Sequence, residues 1–233
     1  MKRGLIFAVA NQKGGVGKTT VSVNTAGACD AAGLDVVLVD ADPQNTTIRW
    51  TTSEGSLSMA VVSLAASGKN IGREILKLTE KYEIVIVDCP GNLEDPRTPA
   101  VLQVADFCII PITPSPADLF STMALIKKIE EIRNSVNPNL QSALMLNCVN
   151  GRTKMREIII EAIKSEEFGT HLFESQIGQR EIYRQTFTLG TTIHHCAKKM
   201  KGLKEARAEI ESFFVELMSY VNNQQPVEAR NVE

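Results

Sequence analysis

Short apolar runs alternate along the chain with stretches of helical periodicity. Five of these runs are rich in β-branched side chains and bounded by turn residues, and they cover residues 5–10, 36–40, 84–88, 107–112 and 143–147. Uninterrupted apolar strands of this length are typical of a parallel sheet that is covered on both faces. Residues 59–63 form a weaker sixth candidate strand.

Helical patterns fill the segments between these runs, over residues 18–32, 71–81, 117–136, 155–167 and 202–221. Alternation of strands and helices implies right-handed crossovers and a sheet with helices on both faces. We therefore predict one α/β domain of the P-loop NTPase type over residues 1–222, with a mostly parallel, twisted sheet. The polar residues 223–233 are expected to form a disordered tail.

Composition narrows the functional classes. The 43% hydrophobic and 22% charged residues are an ordinary globular balance. A net charge of −2 means that any binding to nucleic acid must depend on a local basic patch. The five cysteines form no C-x-x-C pair, which favours buried, reduced thiols over a metal site. No apolar run is long enough for a signal peptide or a bilayer span, so we expect a cytoplasmic protein.

The segment after the first apolar run carries the strongest chemical signal. It reads Lys-Gly-Gly-Val-Gly-Lys-Thr-Thr and opens the first helix. Glycines let backbone N–H groups approach phosphate oxygens, and the helix N-terminus adds a favourable field. Lys18 is placed to reach the β- and γ-phosphates, and the Thr19 hydroxyl to ligate Mg²⁺. The predicted phosphate-binding residues are Lys13, Gly14, Gly15, Val16, Gly17, Lys18, Thr19 and Thr20.

Carboxylates stand at the ends of two further strands. Asp40 and Asp42 belong to the sequence Asp-Ala-Asp-Pro-Gln, and Asp88 ends an apolar strand as in a Walker B pattern. Open α/β sheets bind ligands at the carboxyl edge, where these side chains are expected to meet. We predict that Asp88 holds Mg²⁺ through water, because Mg²⁺ usually keeps several waters.

One departure from the standard P-loop is informative. Gln12 stands where a glycine is usual, and a second lysine, Lys13, follows it. The motif resembles the deviant Walker A of the ParA/MinD family of ATPases, and the resemblance covers nearly the whole chain. It implies a weakly active ATPase that forms an ATP- and Mg²⁺-dependent homodimer, in which Lys13 contacts the partner's nucleotide. It also implies that Asp42 positions the attacking water and that Asp40 lies close to Mg²⁺, so the predicted catalytic residues are Lys13, Lys18, Asp40 and Asp42, and the predicted metal ligands are Thr19, Asp40 and Asp88.

Two later segments point to the small ParA proteins. Residues 110–118 resemble their P-x-x-P-S-P-x-D segment near the nucleotide base, which implies contacts from Pro114 and Asp118. Asn147 ends a strand where the family often has an adenine-contacting Asn, although an Asn that makes a turn is an equal alternative. The family's Asn-Arg pair is absent, because Cys148 follows. A strand beginning at residue 5 leaves no room for an N-terminal helix-turn-helix domain.

A basic stretch lies between residues 176 and 204, with six Lys or Arg residues against one Glu. A solvated face is one interpretation. The resemblance implies another, in which the ATP-bound dimer binds duplex DNA without sequence preference, since phosphate contacts suffice. It further implies a ParB-like or other cargo adaptor that stimulates hydrolysis, and nucleoid association when ATP is bound. The predicted DNA contacts are Arg180, Arg184, Lys198, Lys199, Lys201 and Lys204.

Two other classes remain as alternatives. A MinD-like membrane regulator would end in a basic amphipathic helix, whereas the polar face of residues 202–221 is acidic overall. Anionic lipid would repel this face, so we expect the helix to pack on the core and the protein not to bind a membrane. A relative of the nitrogenase iron protein or of metal carriers would need cysteines for a cluster. Cys89 follows Asp88, but no matching second cysteine is evident.

Overall fold

One seven-stranded parallel sheet, covered on both faces by helices, organises the described residues. The computed structural model describes residues 3–51, 57–151, 153–165, 169–197 and 199–224. The strand order is β3-β2-β4-β1-β5-β6-β7, and every neighbouring pair is parallel. The predicted fold class is confirmed. The strands are β1 (Leu5–Val9), β2 (Val36–Asp40), β3 (Ala60–Ser63), β4 (Ile84–Asp88), β5 (Phe107–Ile112), β6 (Gln141–Val149) and β7 (His171–Gly178).

The first six α-helices of the described residues lie between successive strands, and the last two follow the last strand. They are α1 (Lys18–Ala31), α2 (Thr46–Thr51), α3 (Ile71–Leu78), α4 (Arg97–Leu102), α5 (Pro116–Ser135), α6 (Lys154–Lys164), α7 (Glu181–Thr188) and α8 (Leu203–Gln224). A 3-10 helix over Ala65–Asn70 precedes α3. Because all seven strands run in one direction, their carboxyl ends and the loops that follow them lie at a single edge of the sheet.

Two apolar clusters flank the sheet. Successive residues of β1 alternate between them: Ile6 and Ala8 belong to one cluster, and Phe7 and Val9 to the other. Helices α3 to α6 supply the first cluster, while α1, α7 and α8 supply the second. Both sides of the strands are therefore dry, which explains why their sequences are continuously apolar rather than alternating.

The apolar stripe of α8 is buried against the second cluster, as the sequence predicted. Its buried residues are Ala206, Ile210, Phe213, Leu217 and Val221. The helix runs to Gln224, two residues past the predicted end of the domain, and residues 225–233 of the predicted tail lie outside the described residues. Among the helices described, none combines the length and apolarity needed to cross a bilayer.

The segment 171–188 differs from the prediction, since the sequence analysis assigned it neither a strand nor a helix. Strand β7 lies at the edge of the sheet and buries only part of its residues, so it lacks a continuous apolar run. Helix α7 has only eight residues and shows three buried positions. Short α2 and α4 were missed for the same reason, because periodicity is weak in one or two turns.

Gly27 in α1 allows the helix to approach the loop before α8 closely. A Cβ added at Gly27 would lie 2.6 Å from Thr192 Oγ1 and 2.7 Å from Thr192 Cβ, and Thr192 is fully buried. Asn24, one turn earlier, accepts the N–H of Ile193 through its side-chain oxygen at 2.9 Å. The small residue in α1 is thus a packing requirement.

We predict that Gly27→Ala lowers the free energy of unfolding by about 1–3 kcal/mol, because the methyl group overpacks a closed site. At an unobstructed helical position the same change would raise stability by about 1 kcal/mol through helix propensity. Urea unfolding followed by circular dichroism distinguishes the two signs. A midpoint at or above that of the unaltered chain would contradict the packing argument.

Candidate functional site

The loop between β1 and α1 forms an open cradle of backbone. Gly15 and Gly17 have φ angles of 80° and 88°, in the left-handed region that glycine adopts without strain. A Cβ added at Gly14 or Gly15 would meet no atom within 4 Å, so the space beside the loop is free. Helix α1 begins at Lys18, and its first N–H groups lack partners within the helix. This geometry suits a phosphate group.

The ammonium group of Lys18 lies between this loop and the neighbouring strand ends. Its Nζ donates to the carbonyl of Lys13 at 3.1 Å. Burial lowers the pKa of Lys18, while Asp88 and Asp42 act in the opposite direction and favour the charged form. A Cβ added at Gly91 would lie 3.1 Å from Lys18 Nζ, so the segment after β4 closes on the same cation. The site therefore presents a positive charge beside the cradle.

Asp88 is buried among three hydroxyl groups. Its Oδ2 accepts hydrogen bonds from Thr19 Oγ1 at 2.7 Å and Thr47 Oγ1 at 2.8 Å, and its Oδ1 accepts one from Ser22 Oγ at 3.2 Å. Burial of this carboxyl raises its pKa to about 6. A hydroxyl and a carboxylate at the edge of a phosphate cradle are the oxygen donors that suit Mg²⁺. The pairing of Thr19 with Asp88 thus fits the predicted metal site.

Asp40 and Asp42 take different positions at the end of β2. Asp40 is fully buried, and its two carboxylate oxygens accept the N–H groups of Asp42 and Ile48, each at 3.0 Å. Burial raises the pKa of Asp40. Asp42 is half-buried and accepts the N–H of Gln44 at 2.9 Å. Asp40 therefore braces the turn that carries Asp42 at the rim; their roles toward metal and water stay predictions.

Two of the hydroxyl groups around Asp88 were not predicted. Ser22 lies three residues after Thr19 on α1, and this spacing on one helical face is a signal that could have identified it. Thr47 lies on α2, 41 residues before Asp88, and no local pattern marks it.

Asn147 is hydrogen-bonded to the backbone of the phosphate loop. Its Nδ2 donates to the carbonyl of Val16 at 2.7 Å, and the side chain is 2% exposed. A Cβ added at Gly17 would come within 2.1 Å of that nitrogen. Cys148, the next residue, has a φ of 54° and lies where the pairing of β6 with β7 shifts register, before Val149 pairs with Gly178. The contact with adenine stays a prediction for Asn147, whose amide N–H is bonded to the loop.

A cavity of about 410 Å³ adjoins the phosphate loop. Its lining residues are Gly15, Gly17, Thr20, Asn147, Cys148, Gly178, Gln179, Arg180, Glu181, Tyr183 and Arg184. One wall comes from the end of β7 and the start of α7, which the sequence analysis did not identify. The volume suits a base and its sugar.

Arg180 and Arg184, predicted to contact DNA, lie on this wall. The Arg180 guanidinium makes a two-pronged ion pair with Glu209 of α8, at 2.7 and 3.0 Å. Hydrogen bonding to Glu209 raises the pKa of Arg180. Arg184 is mostly exposed and lies 3.3 Å from Glu181. The charge of Arg180 is thus already compensated within the chain.

The remaining basic residues lie elsewhere. A separate cavity of about 420 Å³ is lined by Lys199, Met200, Leu203, Lys204 and Arg207. Lys201 is exposed between them, and Lys198 lies outside the described residues. Arg207, which lies beyond the predicted basic stretch of residues 176–204, adds a cation to this group. The predicted basic stretch therefore divides into two groups with different surroundings.

Lys13 contacts its own chain. Its Nζ lies 3.7 Å from Asp118 Oδ1, with the lysine side chain 47% exposed and that of the aspartate 10%. Pro114 is half-buried in the loop between β5 and α5. The predicted contacts of Asp118 and Pro114 with a nucleotide base stay predictions, and the pair with Lys13 was not expected.

Two cysteines lie beside this site: Cys148 lines the cavity, and Cys89 follows Asp88. Cys89, next to Asp88, is buried, and burial raises its pKa well above the ordinary range of a thiol. Within the described part of the chain, no three His, Cys, Asp or Glu side chains form a group that could hold a metal ion. Nothing in these residues favours the cluster-binding alternative.

We predict that Asp88→Asn stabilises the ligand-free protein above about pH 6, by about 1–3 kcal/mol. Below about pH 4 the carboxyl is protonated in both the folded and the unfolded chain, so the gain vanishes there. At higher pH the folded chain carries a buried charge, and the amide removes this penalty. Chemical unfolding at pH 4.5 and pH 8 measures the difference, with Glu130→Gln on the exposed side of α5 as control. Equal effects at the two pH values would contradict it.

Comparisons with known proteins show the family of this chain. Residues 7–188 match the model of the CobQ/CobB/MinD/ParA nucleotide binding domain. The chain is 35% identical over 188 residues to "Maintenance of carboxysome distribution protein A" of Halothiobacillus neapolitanus, covering 80% of this chain and 85% of that protein. It is 30% identical over 227 residues to the chromosome-partitioning ATPase Soj of Thermus thermophilus, covering 84% and 90%.

Solved structures show the same fold at lower identity. The ATP complex of a McdA variant from Cyanothece superposes with a TM-score of 0.74 at 16% identity, covering 97% of this chain and 99% of that one. Residues 7–188, which the family model matches, contain the phosphate loop, Asp88 and the cavity wall of α7. The chain therefore belongs to the CobQ/CobB/MinD/ParA family of nucleotide-binding domains.

Proposed function

We propose that this protein is a ParA-type ATPase that binds Mg-ATP, dimerises around it and positions a cargo. The observation that carries the proposal is the combination at one sheet edge of an open glycine cradle, two lysines and the Thr19–Asp88 pair. ATP would supply the phosphoanhydride bond that is hydrolysed, and Mg²⁺ would act as the Lewis acid. The described residues offer matching donors, since backbone N–H groups suit phosphate and the hydroxyl–carboxylate pair suits Mg²⁺.

Three residues of the chain have separate roles in the proposed hydrolysis. Lys18 neutralises phosphate charge, and its reduced hydration makes that charge more effective. Asp42, held at the rim by the turn over Asp40, orients water for attack. Lys13 from a second copy adds a cation where negative charge grows, as an arginine finger does in other P-loop enzymes. Turnover therefore depends on assembly, which makes hydrolysis a switch rather than a steady activity.

The relatives support a positioning role and suggest the cargo. The 35% identical relative is named for carboxysome distribution, and the 30% identical one for chromosome partitioning. We propose a protein body as the cargo, recruited by an adaptor that stimulates hydrolysis. The apolar stripe of α8 is buried in the core, so it is not available to a membrane surface.

We propose that DNA phosphates bind at the group formed by Lys199, Lys204 and Arg207, together with Lys201. Three of these cations surround one cavity, and none of the three is paired with a carboxylate among the ion pairs of the described residues. By contrast, Arg180 is neutralised by Glu209 and faces the nucleotide cavity. Phosphate contacts need cations that no carboxylate neutralises, so the second group is the better DNA surface. Lys199 and Lys204 are its main contacts, because the Arg207 guanidinium also donates to the carbonyls of Ile193 and His194 at 3.2 and 3.3 Å.

Asp42→Ala and Lys13→Ala should have opposite effects on the dimer. With Asp42→Ala, we expect ATP binding and dimerisation to persist while turnover falls about 100-fold or more, since the phosphate cradle survives and water positioning fails. With Lys13→Ala, we expect ATP binding to persist but ATP-dependent dimers and turnover to be lost. Light scattering and phosphate release with Mg-ATP test both. Dimers with normal turnover in the Lys13 variant would refute its action on a second copy.

Charge reversal at Lys199 and Lys204 should weaken binding to duplex DNA of any sequence. Each phosphate contact contributes roughly 0.9 to the slope of log affinity against log salt, so the two reversals should flatten the slope by roughly two to four per dimer. Fluorescence anisotropy with a slowly hydrolysed ATP analogue measures this slope. Charge reversal at Lys81 is the control, because this exposed lysine lies just before β4, at the edge of the sheet opposite the phosphate loop. Equal slopes for the double reversal and the unaltered protein would remove this surface from DNA binding.

A further inference from the structure

Lys13, which the proposed function places against the nucleotide of a second copy, forms an ion pair with Asp118 of its own chain. Lys13 Nζ lies 3.7 Å from Asp118 Oδ1 of the same chain. A lysine side chain can reach its own Asp118 or a second copy's nucleotide, but not both at once. The ion pair thus competes with the contact on which turnover depends.

Asp118 is held in a fixed position. Its second carboxylate oxygen accepts a hydrogen bond from the hydroxyl of Thr113, and its backbone carbonyl accepts bonds from Ser121 at 2.9 Å and Thr122 at 2.7 Å. The residue is 7% exposed at the first turn of α5. The acceptor of the ion pair therefore cannot follow Lys13 when the lysine moves.

The backbone of Lys13 is fixed as well. Its N–H donates to Asn11 Oδ1 at 3.1 Å, and Asn11 Nδ2 donates to the carbonyl of Pro111 at 2.8 Å and to Thr122 Oγ1 at 3.1 Å. These bonds tie the start of the phosphate loop to the start of α5. Only the flexible part of the lysine side chain, about half exposed, is free to change partner.

We propose that Asp118 is a positioning residue for Lys13: it retains the ammonium within the single chain and so sets the protein concentration at which ATP closes the dimer. This inference rests on the proposed function. When Lys13 leaves, Asp118 loses a charged partner and keeps the Thr113 hydroxyl, so release opposes assembly. A half-exposed pair of this kind changes an equilibrium by up to about fivefold, which corresponds to about 1 kcal/mol. A symmetric dimer releases two such pairs, so the two effects multiply.

The test is the dimer dissociation constant of Asp118→Asn, measured by analytical ultracentrifugation with Mg²⁺ and a slowly hydrolysed ATP analogue. The amide keeps an acceptor for Thr113 and removes the charge. We expect dimers about 3- to 25-fold tighter than those of the unaltered chain, and the affinity of the single chain for the nucleotide, measured in parallel, separates this effect from the base contact predicted for Asp118. Glu131→Gln, on the exposed side of the same helix, is the charge-matched control and should change neither quantity. Asp118→Glu, which restores the charge, should return the constant toward its original value.

Each other outcome overturns the inference. A weaker dimer would mean that Asp118 contacts the second copy directly, and weaker nucleotide binding by the single chain would mean that it contacts the nucleotide. An unchanged constant would mean that the pair does not oppose assembly. If Asp118→Asn does not fold, Thr113→Val removes the hydroxyl that Asp118 keeps when Lys13 leaves, so release costs more and the dimer should become weaker; an unchanged or tighter dimer in this variant would again overturn the proposal. If the unaltered chain forms no dimer with ATP, the proposed function itself fails, so the two failures are distinguishable.

Discussion

A charged carboxyl group buried at the edge of the sheet imposes the main constraint on this molecule. Asp88 is 1% exposed, and its pKa of about 6 records the free energy needed to keep a carboxylate there. Three hydroxyl groups from two helices compensate for the lost water, so α1 and α2 must hold their places relative to β4. The register of the sheet fixes the ends of the neighbouring strands relative to Asp88. Asp88 pairs with Val9 of β1 on one side and with Asp40 of β2 on the other.

The interior of the fold was accessible from sequence for a physical reason. Strands β2, β4 and β5 have the predicted bounds because both of their faces are buried, so their sequences are continuously apolar up to Asp40 and Asp88, which end β2 and β4. Strand β7 lies at the edge of the sheet, where burial is partial, and its pattern is indistinct. Helix α7 is too short to show periodicity.

In the candidate site, too, features formed by neighbouring residues could be predicted from the sequence, whereas contacts between distant segments could not. The phosphate loop is a contiguous motif, so its residues and the role of its glycines could be predicted. The support of Val16 by Asn147, across 131 residues, and the wall formed by residues 178–184 depend on how strands are ordered in the sheet. Charge counting along the chain likewise grouped Arg180 with Lys199, whereas the fold gives Arg180 a carboxylate partner and leaves Lys199 at a different cavity.

The contact between Gly17 and Asn147 has a consequence for how such a sequence changes over generations. Any side chain at residue 17 would collide with an amide nitrogen 2.1 Å away, in addition to the strain of a φ of 88°. Shortening Asn147 would remove the collision but would leave the carbonyl of Val16 without its donor. A single substitution at either residue therefore either causes a collision or removes a hydrogen bond. The opposite wall of the nucleotide cavity differs, because Glu181 and Arg184 are exposed and pair with each other, so a substitution there meets solvent rather than a buried amide group.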